Sequence, residues 1–191
     1  MSPREIARCL DRNPTARVAA NAAPSLVGLG NGLEADDRII GRGALWVSRD
    51  AVQGRPGLDI VEGDWHAKFP WFRTKPGSLR ATGRRIDGPG NFTFDLPPES
   101  SYPDIGFIPS GLHFSNGGCW KITARFRRTT IHFFMSFSSS PEAVCAEIEW
   151  QLNNVAALRA STPPGYVWPP ENDALALRLN AASNAACGAE S

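Results

Sequence analysis

A chain of 191 residues has room for one good hydrophobic core and at most an appended subdomain. Its 18 glycines and 16 prolines argue against a helical bundle and for many short strands joined by turns. The net charge of +1 is unevenly spread: residues 1–137 carry 18 basic and 13 acidic groups (+5), and residues 138–191 carry 2 and 6 (−4). Such a split suits either a basic surface that meets an anionic partner or an acidic tail that docks on its own domain, the second being the plainer reading. No segment reaches the roughly 18 apolar residues of a membrane span. No signal peptide is evident either: Arg4 and Arg8 come early, but Asp11, Arg12, Asn13, Pro14 and Arg17 stand where an apolar h-region belongs.

Residues 1–40 show no sustained periodicity and read as an extended or poorly ordered lead-in, with a helical turn or two over Arg4 to Leu10. Ala44 to Ser48 is the first expected strand and Leu58 to Glu62 the second. Gly63 to Arg73 then packs Trp65, His66, Phe69, Trp71 and Phe72 into eleven residues. Pro70 makes this a poor central strand, so it is expected on an edge or in a loop over the mouth of a sandwich. Ser78 to Ile86 is the next strand, and Asp87-Gly88-Pro89-Gly90 a strong turn. Asn91 to Leu96 alternates with Phe92, Phe94 and Leu96 facing in, and Tyr102 to Phe114 reads as two short strands about a turn at Pro109 to Gly111.

The clearest element is a hairpin from Gly117 to Phe137. Trp120, Ile122, Ala124 and Phe126 alternate with polar residues in one arm, and Ile131, Phe133, Met135 and Phe137 alternate in the other. Arg127-Arg128-Thr129 links them without the usual Gly or Asn. Beyond Phe137 the period becomes 3.6. Ser140 is placed as the N-cap, Pro141 at the first helical position and Glu142 in the first turn, with Val144, Ile148, Leu152, Val155 and Leu158 on one face. A proline-rich break at 162–170 separates this helix from a second over Asp173 to Ala186, with Leu175, Leu179 and Ala182 on one side.

Four widely spaced cysteines lack the spacing of a zinc site. If the two helices lie antiparallel, Cys145 and Cys187 meet, leaving Cys9 for Cys119. Two other connectivities, or four buried thiols, remain open.

The runs Gly63 to Arg73, Thr82 to Pro89, Gly106 to Phe114 and Gly118 to Arg125 together resemble a family of small uncharacterised bacterial exported proteins and lipoproteins. The resemblance covers about residues 41–137. It implies an immunoglobulin-like β-sandwich and an extracytoplasmic setting, periplasmic or on the cell surface, and brings no assigned activity or site. The expected architecture is mainly β: seven to eight short antiparallel strands over 41–138, after a lead-in over 1–40 and before a C-terminal helical extension over 139–191.

Trp65, His66, Phe69, Trp71 and Phe72 are candidates for a stacking platform, against the plainer reading that they cap the core. Trp120 is assigned to the core beside Cys119. Arg80, Arg84, Lys121 and Arg125, joined by Arg127 and Arg128, are candidates for a basic face that holds an anionic ligand, against the plainer reading of a solvated face partly neutralised by the acidic tail. Asp64, His66, Asp104, His113 and His132 are the residues from which an acid–base or metal site would have to be built; their gathering in one pocket would indicate an enzyme, their scatter a binding module. No nucleophile elbow, His-Glu-x-x-His motif or phosphate-cradling loop is present. The chain is therefore expected to be a non-catalytic exported binding or structural module of the bacterial envelope, without cofactor or metal, that engages a protein, an envelope component or an anion rather than nucleic acid. The alternatives are a small hydrolase or ligand-binding enzyme with an aromatic pocket, and a binder of anionic polymer at the Arg-rich face.

Overall fold

The computed structural model describes residues 3–13, 39–53, 58–61, 64–98, 101–138 and 140–188. The chain runs α1 (Pro3–Leu10), β1 (Ile39–Arg42), β2 (Leu45–Ser48), α2 (Arg49–Gln53), β3 (Leu58–Val61), β4 (Asp64–Arg73), β5 (Leu79–Arg85), β6 (Phe92–Asp95), β7 (Gly106–Phe114), β8 (Gly118–Phe126), β9 (Thr129–Phe137), α3 (Pro141–Ala160) and α4 (Pro170–Cys187). All strand pairs are antiparallel and form two sheets. The larger has the order β1-β2-β4-β7-β6, with β3 also paired to β4, and the smaller the order β5-β8-β9. Most of the lead-in, 14–38, lies outside the described residues.

The two sheets pack face to face through aromatic side chains. Phe69 on β4 stacks on Phe133 of β9 with ring centroids 5.2 Å apart, Trp65 stacks on Phe137 at 5.5 Å, and Phe114 of β7 meets Trp120 of β8 at 5.2 Å. Each of these residues sits at an inward position of its strand, so the period-2 pattern delivers them all to one interior. At one margin β5 lies close against β6. A Cβ on Gly83 would come within 2.4 Å of the Phe92 ring, so only glycine fits there.

β4 is the central strand of the larger sheet rather than an edge or loop. Its register with β7 makes Pro70 and Pro109 Cα partners. Two prolines can face each other without loss where the missing N–H groups would point away from the shared ladder. On those outer sides no neighbouring strand calls on the prolines: β3 pairs with residues 64–67 of β4 and β2 with 71–73, while β6 pairs with 111–114 of β7. Pro70 thus occupies the gap between β3 and β2, and Pro109 lies beyond the end of β6. The expected turn at Pro109 to Gly111 is correspondingly absent, and β7 continues through it.

The β8–β9 hairpin forms as expected but with a tighter turn, because Thr129 already pairs with Phe126. Arg127 takes the left-handed backbone, φ 54°, and donates to the Pro76 carbonyl at 2.8 Å. Leu96, expected to face in, follows β6 and is 36% exposed.

The N-terminal helix is bound to the smaller sheet. Cys9 and Cys119 form a buried disulfide, and the Asn13 amide both donates to the Phe134 carbonyl and accepts from its N–H, covering part of the β9 edge. At the other end, Ser140 caps α3 by accepting from Ala143 N–H at 3.1 Å. Glu142, fully exposed in the first turn, has its carboxyl pulled below the usual range by its own backbone N–H and by Ser140. Helices α3 and α4 pack on each other, joined by the Cys145–Cys187 disulfide, and contact the larger sheet chiefly at β3. Ile148 and Leu179 are fully buried, whereas Leu158, assigned to the same face, is 61% exposed. No helix among the described residues is long and apolar enough to cross a membrane.

Candidate functional site

Strand alternation divides the aromatic run between two faces of β4. Trp65, Phe69 and Trp71 point into the core, where the Trp71 indole donates to Ser110 Oγ at 2.7 Å. Phe72 is also buried but lies on the other face, 6.0 Å from Phe107, and His66 is half-buried against His113. None of the four carbocyclic or indole rings offers an open face. Their signal in the sequence was real, but it was a core signal.

The acid–base candidates do not gather in one pocket. Asp104 lines a hollow with Arg73 and Leu79, near the end of the β4–β7 ladder where Arg73 pairs with Gly106. Asp64 is exposed on the outward side of β4, two residues from His66. His132 belongs to the smaller sheet. His66 and His113 are in ring contact.

The basic candidates do converge, and the cause is the β5–β8 register. Arg80 is the Cα partner of Arg125, Arg84 of Lys121, and Thr82 of Thr123 between them. All six are outward positions, since Leu79, Ala81, Ile122 and Ala124 face the interior. β9 extends the face with Thr130, His132 and Phe134, which register with Arg125, Thr123 and Lys121. The same strand rise places residues i and i+4 about 13 Å apart on one face, so the two cationic pairs stand at either end of a short row. His132 Nδ1 lies 3.0 Å from Thr123 Oγ1. Arg12 lies over the Phe134 ring at 5.8 Å, and Arg42 of β1 lines a shallow hollow with Thr130 and His132. Arg127 and Arg128 do not extend the row; they line a second hollow with Lys75 and Thr129 at the hairpin end.

No carboxylate pairs with Arg80, Arg84, Lys121 or Arg125 among the described residues. Among the described residues the acid–base pairs are Arg85 with Asp87, His113 with Asp95 and Arg159 with Asp173. The last stays within the acidic tail, and Glu147 is buried beside Gln151 on α3. The field of the face is visible in His132: its partial burial, then the positive charges of Lys121, Arg125 and Arg42, push its pKa below the ordinary imidazole value. Arg42 escaped the sequence reading because β1 begins at the boundary of an unpatterned stretch; His132 figures there only as an acid–base candidate, because nothing in the order of residues says that β5 pairs with β8 on the other side of the hairpin.

Like charges directly opposite on neighbouring strands are destabilising. Two such pairs on one face, with Thr hydroxyls between them, can hold a ligand that carries several negative charges along its length. No family model, curated protein or solved structure matches this chain.

Proposed function

We propose that the protein is a non-catalytic binding module that holds an anionic polymer of the cell envelope on the outer face of its three-stranded sheet. The observation that carries this reading is the register of β5 on β8, which sets Arg80 against Arg125 and Arg84 against Lys121 with no paired carboxylate among the described residues. An exported setting, and membership of an immunoglobulin-like exported or lipoprotein family, are part of the proposal. The two disulfides support the setting, since such bonds persist in oxidising compartments. A phosphate- or carboxylate-bearing polysaccharide suits the face because its charges repeat along a chain and need no enclosed pocket.

The test is retention on immobilised heparin as a function of salt. Binding that weakens with salt, and whose salt slope falls by about one for each cation removed in Arg80→Gln and Arg125→Gln, supports the module. Arg159→Gln, in the tail, should elute like the parent protein. Retention that is absent at low salt, or unchanged by the double substitution, rejects the proposal.

A further inference from the structure

A hollow of about 840 Å³ opens at the end of the sandwich that carries the β8–β9 turn, lined by Gly43, Ala44, Lys75, Arg127, Arg128 and Thr129. Three chain segments wall it: the β1–β2 turn, the stretch that leads from β4 of the larger sheet to β5 of the smaller, and the β8–β9 turn. These walls are tied to one another. Thr74 N–H donates to the Ala44 carbonyl at 3.2 Å and its hydroxyl to the Gly43 carbonyl at 3.5 Å. Ala44 N–H in turn donates to Thr129 Oγ1 at 3.5 Å, and Arg127 donates to the Pro76 carbonyl from its left-handed backbone. Gly43 has φ 58°, and a Cβ there would stand 3.0 Å from Thr129 Oγ1, so glycine lets the first and third walls close on each other. The shape of the hollow is thus set by the fold.

We infer that this hollow binds a phosphate or sulfate group carried on a hydrophilic molecule. Lys75, Arg127 and Arg128 are exposed, none belongs to an ion pair among the described residues, and no carboxylate among them lines the hollow. Three like charges around one concavity repel one another, and a dianion relieves that repulsion more fully than the single charge of a carboxylate. The donors suit a tetrahedral oxyanion. A guanidinium offers a planar fork to two oxygens, an ammonium a point charge to a third, and Thr129, which accepts Ala44 N–H, keeps its O–H to donate. No aromatic ring among the described residues lines the hollow, so it lacks a stacking platform for a nucleobase. Its volume is that of a small-molecule site and exceeds what an oxyanion fills, which leaves space for a carrier the size of a sugar. The inference does not rest on the polymer reading, because the lining shares no residue with the row of Arg80, Arg84, Lys121 and Arg125.

The test is NMR titration of the intact, disulfide-bonded, isotope-labelled protein with inorganic phosphate, inorganic sulfate and glucose 6-phosphate. Ionic strength is held constant with NaCl, and the pH is kept well above the second phosphate pKa of about 6. Saturable shifts of the Ala44, Arg128 and Thr129 amides are expected. Lys75→Gln and Arg128→Gln should each weaken binding about tenfold, the contribution of one hydrogen bond to a charged group, and Arg128→Lys should recover part of the loss. Arg84→Gln, at the far end of the basic row, should bind phosphate as the parent does while its salt slope on heparin falls. Tighter binding of glucose 6-phosphate than of the inorganic ions assigns the hollow to a phosphorylated sugar, and equal binding assigns it to the free oxyanion. Shifts that rise linearly without saturating, parental affinity in folded Lys75→Gln and Arg128→Gln, or a loss in Arg84→Gln as large as in Arg128→Gln overturns the assignment. Phosphate binding without heparin retention rejects the polymer reading alone; heparin retention without phosphate binding rejects this one alone.

Discussion

Arg80 and Arg125 are directly opposed across the β5–β8 ladder on an exposed face, and neither takes part in an ion pair among the described residues. Opposite-charge cross-strand pairs contribute about 0.2–1 kcal/mol and like pairs subtract. Arg125→Glu should therefore raise the stability of the unliganded protein by up to about 1 kcal/mol at low salt, while it lowers retention on heparin. The gain should shrink as salt is added, because the pair is exposed and screened. Urea unfolding midpoints at low and moderate salt measure this. A loss of stability at low salt would mean that the two guanidinium groups do not interact.

The same face makes a pH prediction. His132 has a folded pKa below its unfolded value of about 6.5. Below that pH the unfolded chain takes up a proton that the folded chain resists. The His132 contribution to stability is therefore full above about pH 6.5 and lost as pH falls from there through the folded pKa. A bound polyanion opposes Lys121, Arg125 and Arg42, so it should raise the His132 pKa and bind more tightly as pH falls through that range. Following the His132 ring resonances by NMR, with and without a heparin oligosaccharide, tests this; a pKa that stays still or falls on binding would place the ligand elsewhere.

The two disulfides should differ in how readily they are reduced. Cys9 and Cys119 are 3% and 5% exposed, whereas Cys145 and Cys187 are only half-buried on the helical pair. Mild thiol treatment without denaturant, followed by alkylation and peptide mass spectrometry, should label Cys145 and Cys187 first. Removing that bond, which spans 42 residues, should cost at most about 4 kcal/mol on the chain-entropy model. First labelling at Cys9 would show that the α1 attachment opens more easily than the tail.

Inside the sandwich, Ser110 is the hydrogen-bond partner of the fully buried Trp71 indole. Ser110→Ala leaves that N–H without its acceptor and should destabilise the protein by about 1–3 kcal/mol. Gly83→Ala, which drives a methyl group into the Phe92 ring, should cost a similar 1–3 kcal/mol through overpacking. Chemical denaturation checks both. A neutral Gly83→Ala would show that β6 is free to move away from β5.

Much of the fold was legible because it rests on local periodicity. Alternation in Trp120 to Phe126 and Ile131 to Phe137 sets which residues face inward whatever the strands pair with, and Ser140-Pro141-Glu142 marks a helix start by capping chemistry alone. The sequence also held the ingredients of the basic face, since Arg80, Arg84, Lys121 and Arg125 all occupy outward positions of their strands. What it does not contain is register. That Arg80 meets Arg125, and that His66 meets His113 beside Asp95, follows from pairings between segments tens of residues apart, which no local pattern encodes. The central place of β4 shows the same limit. Pro70 excludes a central strand only while its neighbours are unknown, and the gap between β3 and β2 together with Pro109 opposite removes the conflict. Local sequence determined the elements and their inner faces; long-range hydrogen bonding and packing decided which polar residues stand together.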